Sequence, residues 1–210
     1  MESGLAHFAK GSGLIVSRVF TDSISSVDAR YTLLAPGLIE QSWSEAEALG
    51  ASVWLWMQSP MHRSLPLVTL HALLLPAIKR RQFVIASRQN QPLFYAAWAH
   101  FDVHAEARYL ARSAVHMPAQ DWTCGPRLWA LDWIAPFGHT RDVAYLLTHG
   151  LFAQCWGRAL DHRGSQRGLR VRTFRGVAVP PEDAHRWFAA NPVQMPETQP
   201  TTTPLAEIDP

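Results

Sequence analysis

Two apolar runs separated by a short polar stretch most strongly limit how this chain of 210 residues can fold. The runs are QFVIAS and PLFYAAWA, and the residues between them, Arg88–Gln91, are RQNQ. Short apolar runs rich in β-branched and aromatic residues, joined by a short polar connection, are typical of a β-hairpin. The sequence therefore predicts an antiparallel sheet in the middle of the fold.

A helix is predicted before this hairpin. Ser42 and Glu45 have the spacing of a capping box and open a helix that runs to about Met57. The Ser59-Pro60 step ends it, because the residue before a proline is pushed out of helical geometry. The apolar run thus stops abruptly and is followed at once by an imidazole, that of His62.

The remaining elements predict the fold class. A second helix begins at Pro66 and stops near Pro76. The later elements are a helix over EARYLAR capped by Asp102, a strand over RLWALDWIA, a short helix from Asp142 to Thr148, a strand over GLRVRTFRG and a helix over PPEDAHRWFAA. Helices flanking a mainly antiparallel sheet indicate a single α+β domain. We assign it to residues 42–190, with a variable N-terminal extension over 1–41 and a disordered Pro/Thr-rich tail over 191–210.

The charge is uneven along the chain. Residues 51–190 hold sixteen Lys and Arg against eight Asp and Glu, whereas the last twenty residues hold three acids and no base. Six arginines crowd one short stretch, at positions 158, 163, 167, 170, 172 and 175. A basic cluster of this kind favours an acidic partner, although a solvated face without a partner has the same composition.

Several classes of protein are disfavoured by what the sequence lacks. Two cysteines, Cys124 and Cys155, provide no disulfide framework and no cluster with zinc-site spacing. His100 and His104 have helical spacing without the companion ligands of a metal site. No apolar stretch approaches the roughly 20 residues that span a bilayer, and the N-terminus lacks the pattern of a secretory signal. We expect a cytoplasmic protein without a metal or a bound cofactor.

His62 is the first candidate for chemistry. It follows a helix end, on a segment that Pro60 forces to turn. An imidazole accepts a proton near neutral pH, which few other side chains do unaided. The alternative is a histidine that only packs against the domain and binds a backbone carbonyl.

Asp132 is the second candidate, because it interrupts the apolar strand around Leu131 and Trp133. A carboxylate in such surroundings must find a partner, since burying it alone is costly. An imidazole N–H would satisfy it and would fix the tautomer of the histidine. The alternative is a structural ion pair with an arginine. We interpret Cys124 as structural, because nothing near it in the sequence favours a thiolate.

Several motifs resemble one family, the RTX-toxin-activating lysine acyltransferases. They are, in order, WLWMQSPMHR, LLPAI, FYAAWA, EARYL, DWTCGPRLWALDWIAPFG and RTFRG, within residues 47–176. The resemblance implies an acetyltransferase-like α+β fold, a cytoplasmic homodimer, and transfer of a fatty acyl group from acyl carrier protein to internal lysines of an RTX-type protoxin. It places the catalytic pair on His62 and Asp132. The candidates for support or substrate binding are Ser59, Arg63, Tyr109, Gly125 and Arg158.

The chain also departs from the family pattern. Leu65 stands where the family usually has Trp, Pro126 replaces an acid, and Asp161 replaces an expected arginine. With His62 as general base and Asp132 orienting it, the reaction implied is aminolysis of a thioester by a lysine amine. The nine tryptophans are consistent with an apolar groove for the acyl chain as well as with a large core. Two alternatives remain open: an enzyme of the same fold that uses acyl-CoA directly, and a non-catalytic arginine-rich adaptor.

Overall fold

The protein is described by a computed structural model that covers residues 30–161 and 170–194. Its centre is a six-stranded sheet in the order β1-β2-β3-β4-β5-β6. The strands are β1 Thr32–Leu34, β2 Phe83–Arg88, β3 Gln91–Phe101, β4 Arg127–Ile134, β5 Trp156–Asp161 and β6 Arg170–Arg175. The α-helices are α1 Glu45–Gln58, α2 Thr69–Leu73, α3 Leu75–Lys79, α4 Val103–Ala111, α5 Thr140–His149 and α6 Pro181–Ala190. Neighbouring strands are antiparallel except β4 and β5, which confirms the predicted α+β class with a mainly antiparallel sheet.

The predicted hairpin is present as β2 and β3. Gln89 and Asn90 both have positive φ, 51° and 63°, and Arg88 pairs with Gln91 across the turn. Two central residues with positive φ match the turn that follows the right-handed twist of paired strands. The polar connection therefore sets the register of the central strand pair.

Both faces of the hairpin are buried. Phe83 and Ile85 belong to one core cluster, which α1, α3 and α4 cover. Val84 and Ala86, which alternate with them, belong to a second cluster that α5 covers. Side chains alternate between the two faces of a strand, so a strand buried on both faces is apolar at consecutive positions. This explains why QFVIAS shows no alternation of apolar and polar residues.

The helix boundaries differ from the predictions in two places. The N-cap of α1 is Ser44, whose hydroxyl accepts from the backbone N–H of Glu47 at 3.3 Å, rather than Ser42. Ser44 and Glu47 have the same capping-box spacing, so the motif was placed two residues too early. The predicted second helix is two short ones, α2 and α3, and Pro76 lies in the first turn of α3 instead of marking a stop. A proline fits there because the N–H it lacks has no partner in a first helical turn.

Two strands were not predicted. β1 lies within the segment that we assigned to the N-terminal extension, and it pairs with β2 from Thr32↔Ser87 to Leu34↔Ile85. The sheet therefore begins upstream of residue 42. β5, which contains Arg158 and Asp161, is the second unpredicted strand. Residues 1–29 and 195–210, which hold most of the predicted extension and tail, lie outside the described residues.

The parallel pair of strands creates an opening in the sheet. β4 and β5 pair only at Trp129↔Arg158 and Ala130↔Ala159, although both strands continue beyond these residues. A parallel connection requires a crossover, and α5 lies in it. Past Ala130 and Ala159 the two strands separate, and this separation places the candidate site.

Candidate active site

The end of α1 presents His62. Ser59 is the C-cap of the helix, with extended backbone geometry, and its N–H donates to the carbonyl of Trp56 at 3.0 Å. The carbonyl of Ser59 then accepts the N–H groups of His62 and Arg63 at 3.0 and 2.9 Å. The chain thus makes a tight turn immediately after the predicted Ser59-Pro60 break. This turn carries the imidazole back toward the sheet.

Both ring nitrogens of His62 have partners. Nδ1 lies 2.8 Å from the hydroxyl of Ser59, and Nε2 lies 3.2 Å from Oδ1 of Asp132. The ring packs on Trp56, with 4.7 Å between the ring centroids. An ionised carboxylate only accepts hydrogen bonds, so Nε2 carries the proton and the neutral ring keeps its lone pair on Nδ1. The Ser59 hydroxyl donates to that lone pair.

Asp132 reaches His62 from the middle of β4. It faces Ala97 of β3, next to an irregularity in the register between Ala97 and Trp98. The side chains of His62 and Asp132 are only 12% and 17% exposed. The carboxylate has little contact with water, and the hydrogen bond from the imidazole N–H compensates for that burial. The structural alternative, an ion pair between Asp132 and an arginine, is not seen among the described residues.

His62 and Asp132 line a cavity of about 480 Å³ between the separated ends of β4 and β5. Leu131 and Leu160 contribute apolar wall from the two strands. Asp161 and Arg172 contribute a polar wall, joined by a hydrogen bond of 2.7 Å from Nε of Arg172 to the carboxylate. The volume is in the range of small-molecule sites, which are mostly apolar with a few placed polar groups. An imidazole held by a carboxylate at such a cavity can move a proton to or from a bound reactant.

Comparison with known proteins decides the family. Residues 41–175 match the RTX toxin acyltransferase family. This chain belongs to the RTX toxin acyltransferase family. It is 44% identical over 144 residues to the RTX-I toxin-activating lysine-acyltransferase of Actinobacillus pleuropneumoniae, covering 68% of this chain and 81% of the relative.

Two further relatives are named for the acyl group that they transfer. A protein-lysine palmitoyltransferase of Bordetella bronchiseptica is 35% identical over 148 residues, 69% of this chain and 78% of the relative. A protein-lysine myristoyltransferase of Escherichia coli is 44% identical over 92 residues, which is 44% of this chain and 52% of that relative. The match to this last relative therefore spans about half its length.

In this RTX toxin acyltransferase, the other residues predicted to support catalysis or bind substrate lie in different parts of the fold. Ser59 contacts His62 directly, and Arg63 is exposed beside it. Tyr109 is buried on α4 against Phe101 and Trp129, with centroids 5.2 and 5.5 Å away. Burial, and to a smaller extent the charge of Asp132, raises the pKa of Tyr109. The phenol therefore stays protonated.

Gly125 lies in a place where a side chain would not fit. A Cβ there would lie 2.4 Å from the carbonyl oxygen of Phe101 and 2.4 Å from the nitrogen of Asp102. Its N–H donates to the carbonyl of His100 at 3.0 Å. Gly125 thus lets the segment before β4 lie close against the junction of β3 and α4, which supports the fold and not the cavity directly.

Arg158 is buried and lies outside the cavity lining. Its guanidinium donates to the carboxylate of Glu106 at 3.3 Å and to the carbonyl of Asn191, and it lies over the rings of Trp187 and Phe188. Burial lowers the pKa of Arg158 and the charge of Glu106 opposes this shift. The arginine joins α4, β5 and the end of α6.

The predicted arginine cluster is not one continuous surface among the described residues. Arg158 is buried, and Arg175 donates to the carbonyl of Val179 at 2.9 Å. Arg170 and Arg172 lie two positions apart on the edge strand β6 and are exposed. Alternation along a strand separates Arg175 from that pair. Arg163 and Arg167 lie outside the described residues.

Cys124 has the environment of a structural thiol. Its sulfur accepts the N–H of Asp102 and donates to the carbonyl of Asp121, both at 3.3 Å. Burial raises the pKa of the Cys124 thiol, which keeps it protonated and weakly nucleophilic. These contacts argue against Cys124 as a nucleophile, in agreement with the sequence interpretation.

Of the residues that line the cavity, only His62 and Asp132 were predicted as site residues; those not predicted include Met61 of the turn after α1, Thr140 of α5, Leu160 of β5 and Arg172 of β6. Met61 had a local signal, since it lies beside His62 in the turn after α1. The others reach the cavity from α5, β5 and β6, and no local pattern connects those elements. Asp161 had been noted only as a departure from the family pattern.

The described part of the chain contains neither a group of metal ligands nor a membrane-spanning helix. Within residues 30–161 and 170–194, no three His, Cys, Asp or Glu side chains are grouped so that they could hold a metal ion. None of the helices in these ranges combines the length and the apolar character needed to cross a membrane.

Proposed function

We propose that this protein transfers a fatty acyl group from the thioester of acyl carrier protein to lysine side chains of an RTX-type protoxin. The observation that carries the proposal is the His62 imidazole, held between Ser59 and Asp132 at the edge of a cavity. Membership of the RTX toxin acyltransferase family supplies the reaction class. Relatives named as protein-lysine acyltransferases support lysine as the acceptor.

His62 acts as the general base. A lysine amine has a pKa of about 10.4 and must lose a proton before it attacks a carbonyl carbon. The ammonium gives that first proton to water. With Nε2–H held by Asp132, the lone pair of Nδ1 takes the second proton, which the nitrogen loses as it bonds to the carbonyl carbon, after the Ser59 hydroxyl turns away. Asp132 keeps the ring in this tautomer and stabilises the imidazolium that forms. Such base catalysis contributes about 10²–10⁴-fold to the rate.

The bond changes balance without a further reactant. The amine nitrogen attacks the thioester carbon, and His62 receives the amine proton. The C–S bond then breaks, the amide forms, and the imidazolium returns its proton to the leaving thiolate of the carrier. His62 is thereby regenerated for the next cycle.

The cavity and its surroundings suit a long acyl donor. We call the exposed apolar side chains after the middle of α1 the apolar rim: Met57, Met61, Leu65, Leu67 and Val68. Met61 belongs both to the rim and to the cavity lining, so the two are continuous. Arg63 is the sole charged residue between Glu47 and Lys79. The acyl chain extends from the cavity along this rim, and each CH₂ that leaves water contributes about 0.8 kcal/mol.

Acyl carrier protein docks on exposed arginine side chains near the cavity. Arg63 lies beside His62, and Arg170 and Arg172 lie on the edge strand β6, with Arg172 lining the cavity. An acidic carrier protein would be attracted to these guanidinium groups. The donor would thus be held by protein contacts, in the cytoplasm where acyl carrier protein acts.

The test is acyl transfer with purified components. The protein is incubated with myristoyl- or palmitoyl-acyl carrier protein and an RTX-type protoxin, and modified lysines are located by mass spectrometry. We expect lysine acylation that is lost in His62→Ala and retained in His71→Ala, a matched exposed histidine on α2. Equal rates with acyl-CoA in place of the carrier thioester would contradict the proposed donor, and activity of His62→Ala within a few fold of wild type would contradict the proposed base.

A further inference from the structure

A tyrosine of the FYAAWA motif that was not predicted as a site residue lies in the core next to the site. Tyr95 of β3 is fully buried, and its phenolic oxygen has no hydrogen-bond partner among the described residues. Buried hydroxyl groups almost always have a partner, because leaving one unpaired destabilises the fold. An unpaired buried phenol therefore calls for an explanation in function or in an ordered water.

The register of the sheet brings Tyr95 to Asp132. Tyr95 pairs with Ile134, and Ala97 pairs with Asp132, so the two side chains are diagonal neighbours on one face of β3 and β4. The irregularity in the register begins only after Ala97 and does not separate them. Diagonal neighbours on antiparallel strands are within reach of an aromatic side chain.

The core cluster that contains Tyr95 holds other donors without acceptors among the described residues. The indole N–H groups of Trp56 and Trp129 are buried in the same core cluster as Tyr95 and have no partner among the described residues. Trp56 packs on the ring of His62. A buried water needs two to four polar partners, and the Tyr95 phenol and the Asp132 carboxylate supply two of them.

The charge on Asp132 acts on the phenol. Burial, and secondarily the charge of Asp132, raises the pKa of Tyr95 well above its usual value. Tyr109, the other phenol of this cluster, has its pKa raised by the same two causes. Tyr95 therefore stays protonated and can only donate toward the carboxylate.

We propose that Tyr95 is a positioning residue for the His62–Asp132 pair. Its phenol donates, through one bridging water, to Oδ2 of Asp132, the oxygen that His62 does not use. A second donor fixes the plane of the carboxylate, so that Oδ1 stays aligned with Nε2 of His62. Tyr95 touches no substrate and acts only through Asp132. The inference rests on the roles proposed above for that pair.

The first test removes only the phenolic oxygen. Tyr95→Phe should lower the turnover of acyl transfer about tenfold, the loss expected for one hydrogen bond to a charged group. In an Asp132→Asn background the same change should cost less than twofold, because the group through which it acts is gone. Tyr145→Phe, on an exposed tyrosine of α5, is the matched control and should leave turnover unchanged.

A purely structural Tyr95 predicts a different result. Replacing an unpartnered hydroxyl by hydrogen would then leave turnover per folded molecule within twofold of wild type and leave the melting temperature equal or higher. That outcome, or a tenfold loss that persists unchanged in the Asp132→Asn background, would overturn the proposal.

A second measurement does not depend on acyl transfer. With ¹³C-labelled tyrosine, the Cζ resonance of Tyr95 should move between the wild-type protein and Asp132→Asn, whereas that of Tyr145 should not. An unchanged Tyr95 resonance would show that the phenol does not contact the carboxylate, even through water. If wild-type protein transferred no acyl group, the proposed function would fail while this spectroscopic result would still decide the Tyr95–Asp132 contact.

Discussion

Nε2 of His62 lies 3.2 Å from Oδ1 of Asp132, although the two residues are 70 positions apart in the sequence. The contact joins the turn after α1 to the middle of β4, and it leaves Nδ1 facing the Ser59 hydroxyl. The proposed proton transfer depends on this contact.

Asp132→Asn tests the orienting role of the carboxylate. The amide keeps the shape but removes the charge that favours imidazolium and one histidine tautomer. We expect turnover to fall by several orders of magnitude, comparable to the roughly 10⁴-fold loss from the equivalent change in the serine-protease triad. Turnover and melting temperature are measured on the same preparation. A lower melting temperature with normal turnover per folded molecule would show that Asp132 is not part of the active site.

Ser59→Ala tests whether the hydroxyl only holds the ring. The variant loses the 2.8 Å contact to Nδ1, which is a neutral hydrogen bond of about 0.5–1.5 kcal/mol. We expect about a tenfold loss of turnover, much smaller than that of His62→Ala. A loss equal to that of His62→Ala would show that the hydroxyl itself relays the proton. Ser52→Ala, in the same helix, is the control, because the Ser52 hydroxyl bonds only the carbonyl of Ala48.

The apolar rim is tested through the length of the acyl chain. Leu67 and Val68 are 80% and 77% exposed, so changing both to Ser should not disturb the core. We expect kcat/KM to fall for myristoyl and palmitoyl donors and to stay nearly the same for short-chain donors, because only a long chain reaches the rim. Val177→Ser removes an exposed apolar side chain outside the rim, 55% exposed, and should have no effect. An equal loss for short and long donors would contradict the proposed path of the chain.

The carrier contact should weaken with salt. The electrostatic screening length falls from about 10 Å at 0.1 M salt to about 3 Å at 1 M. We expect the affinity for acyl carrier protein to fall with ionic strength and in the double variant Arg63→Glu, Arg170→Glu, measured by calorimetry. Arg186→Glu, on α6, reverses an exposed charge whose one ion pair among the described residues is with Asp183, and it serves as the control. Affinity that does not depend on salt would argue against docking through these arginines.

Two truncations test where the folded domain begins. Removing residues 1–41 deletes β1, buried Ala35, the hydrogen bond that the Tyr31 hydroxyl donates to Asp142 and its contact with Nδ1 of His139, each 3.1 Å. We therefore expect its melting temperature to be lower than that of a protein lacking only residues 1–29. Equal melting temperatures would show that β1 adds little to stability and would support the predicted start of the folded domain at residue 42.

The sequence predicted the elements whose signals are local. The Arg88–Gln91 turn, the Asp102 cap and the break at Ser59-Pro60 each depend on a few adjacent residues, and each is present. The α1 cap was misplaced because Ser42 and Ser44 offer the same spacing to a following glutamate. β1 was missed because three residues are too few to show a period, and β5 because Arg158 and Asp161 interrupt its apolar pattern.

Local sequence patterns are enough to place an imidazole after a helix end and to place a carboxylate that needs a partner in an apolar strand. That these two groups meet, that Arg158 lies in the core and that Tyr95 lies beside Asp132 follow from how the distant elements pack. The reason is physical: side-chain composition and local backbone preference act over a few residues, whereas strand order and register decide which distant residues share a face. The cavity likewise depends on β4 and β5 separating after two paired residues, a property of their relative geometry that neither strand carries alone.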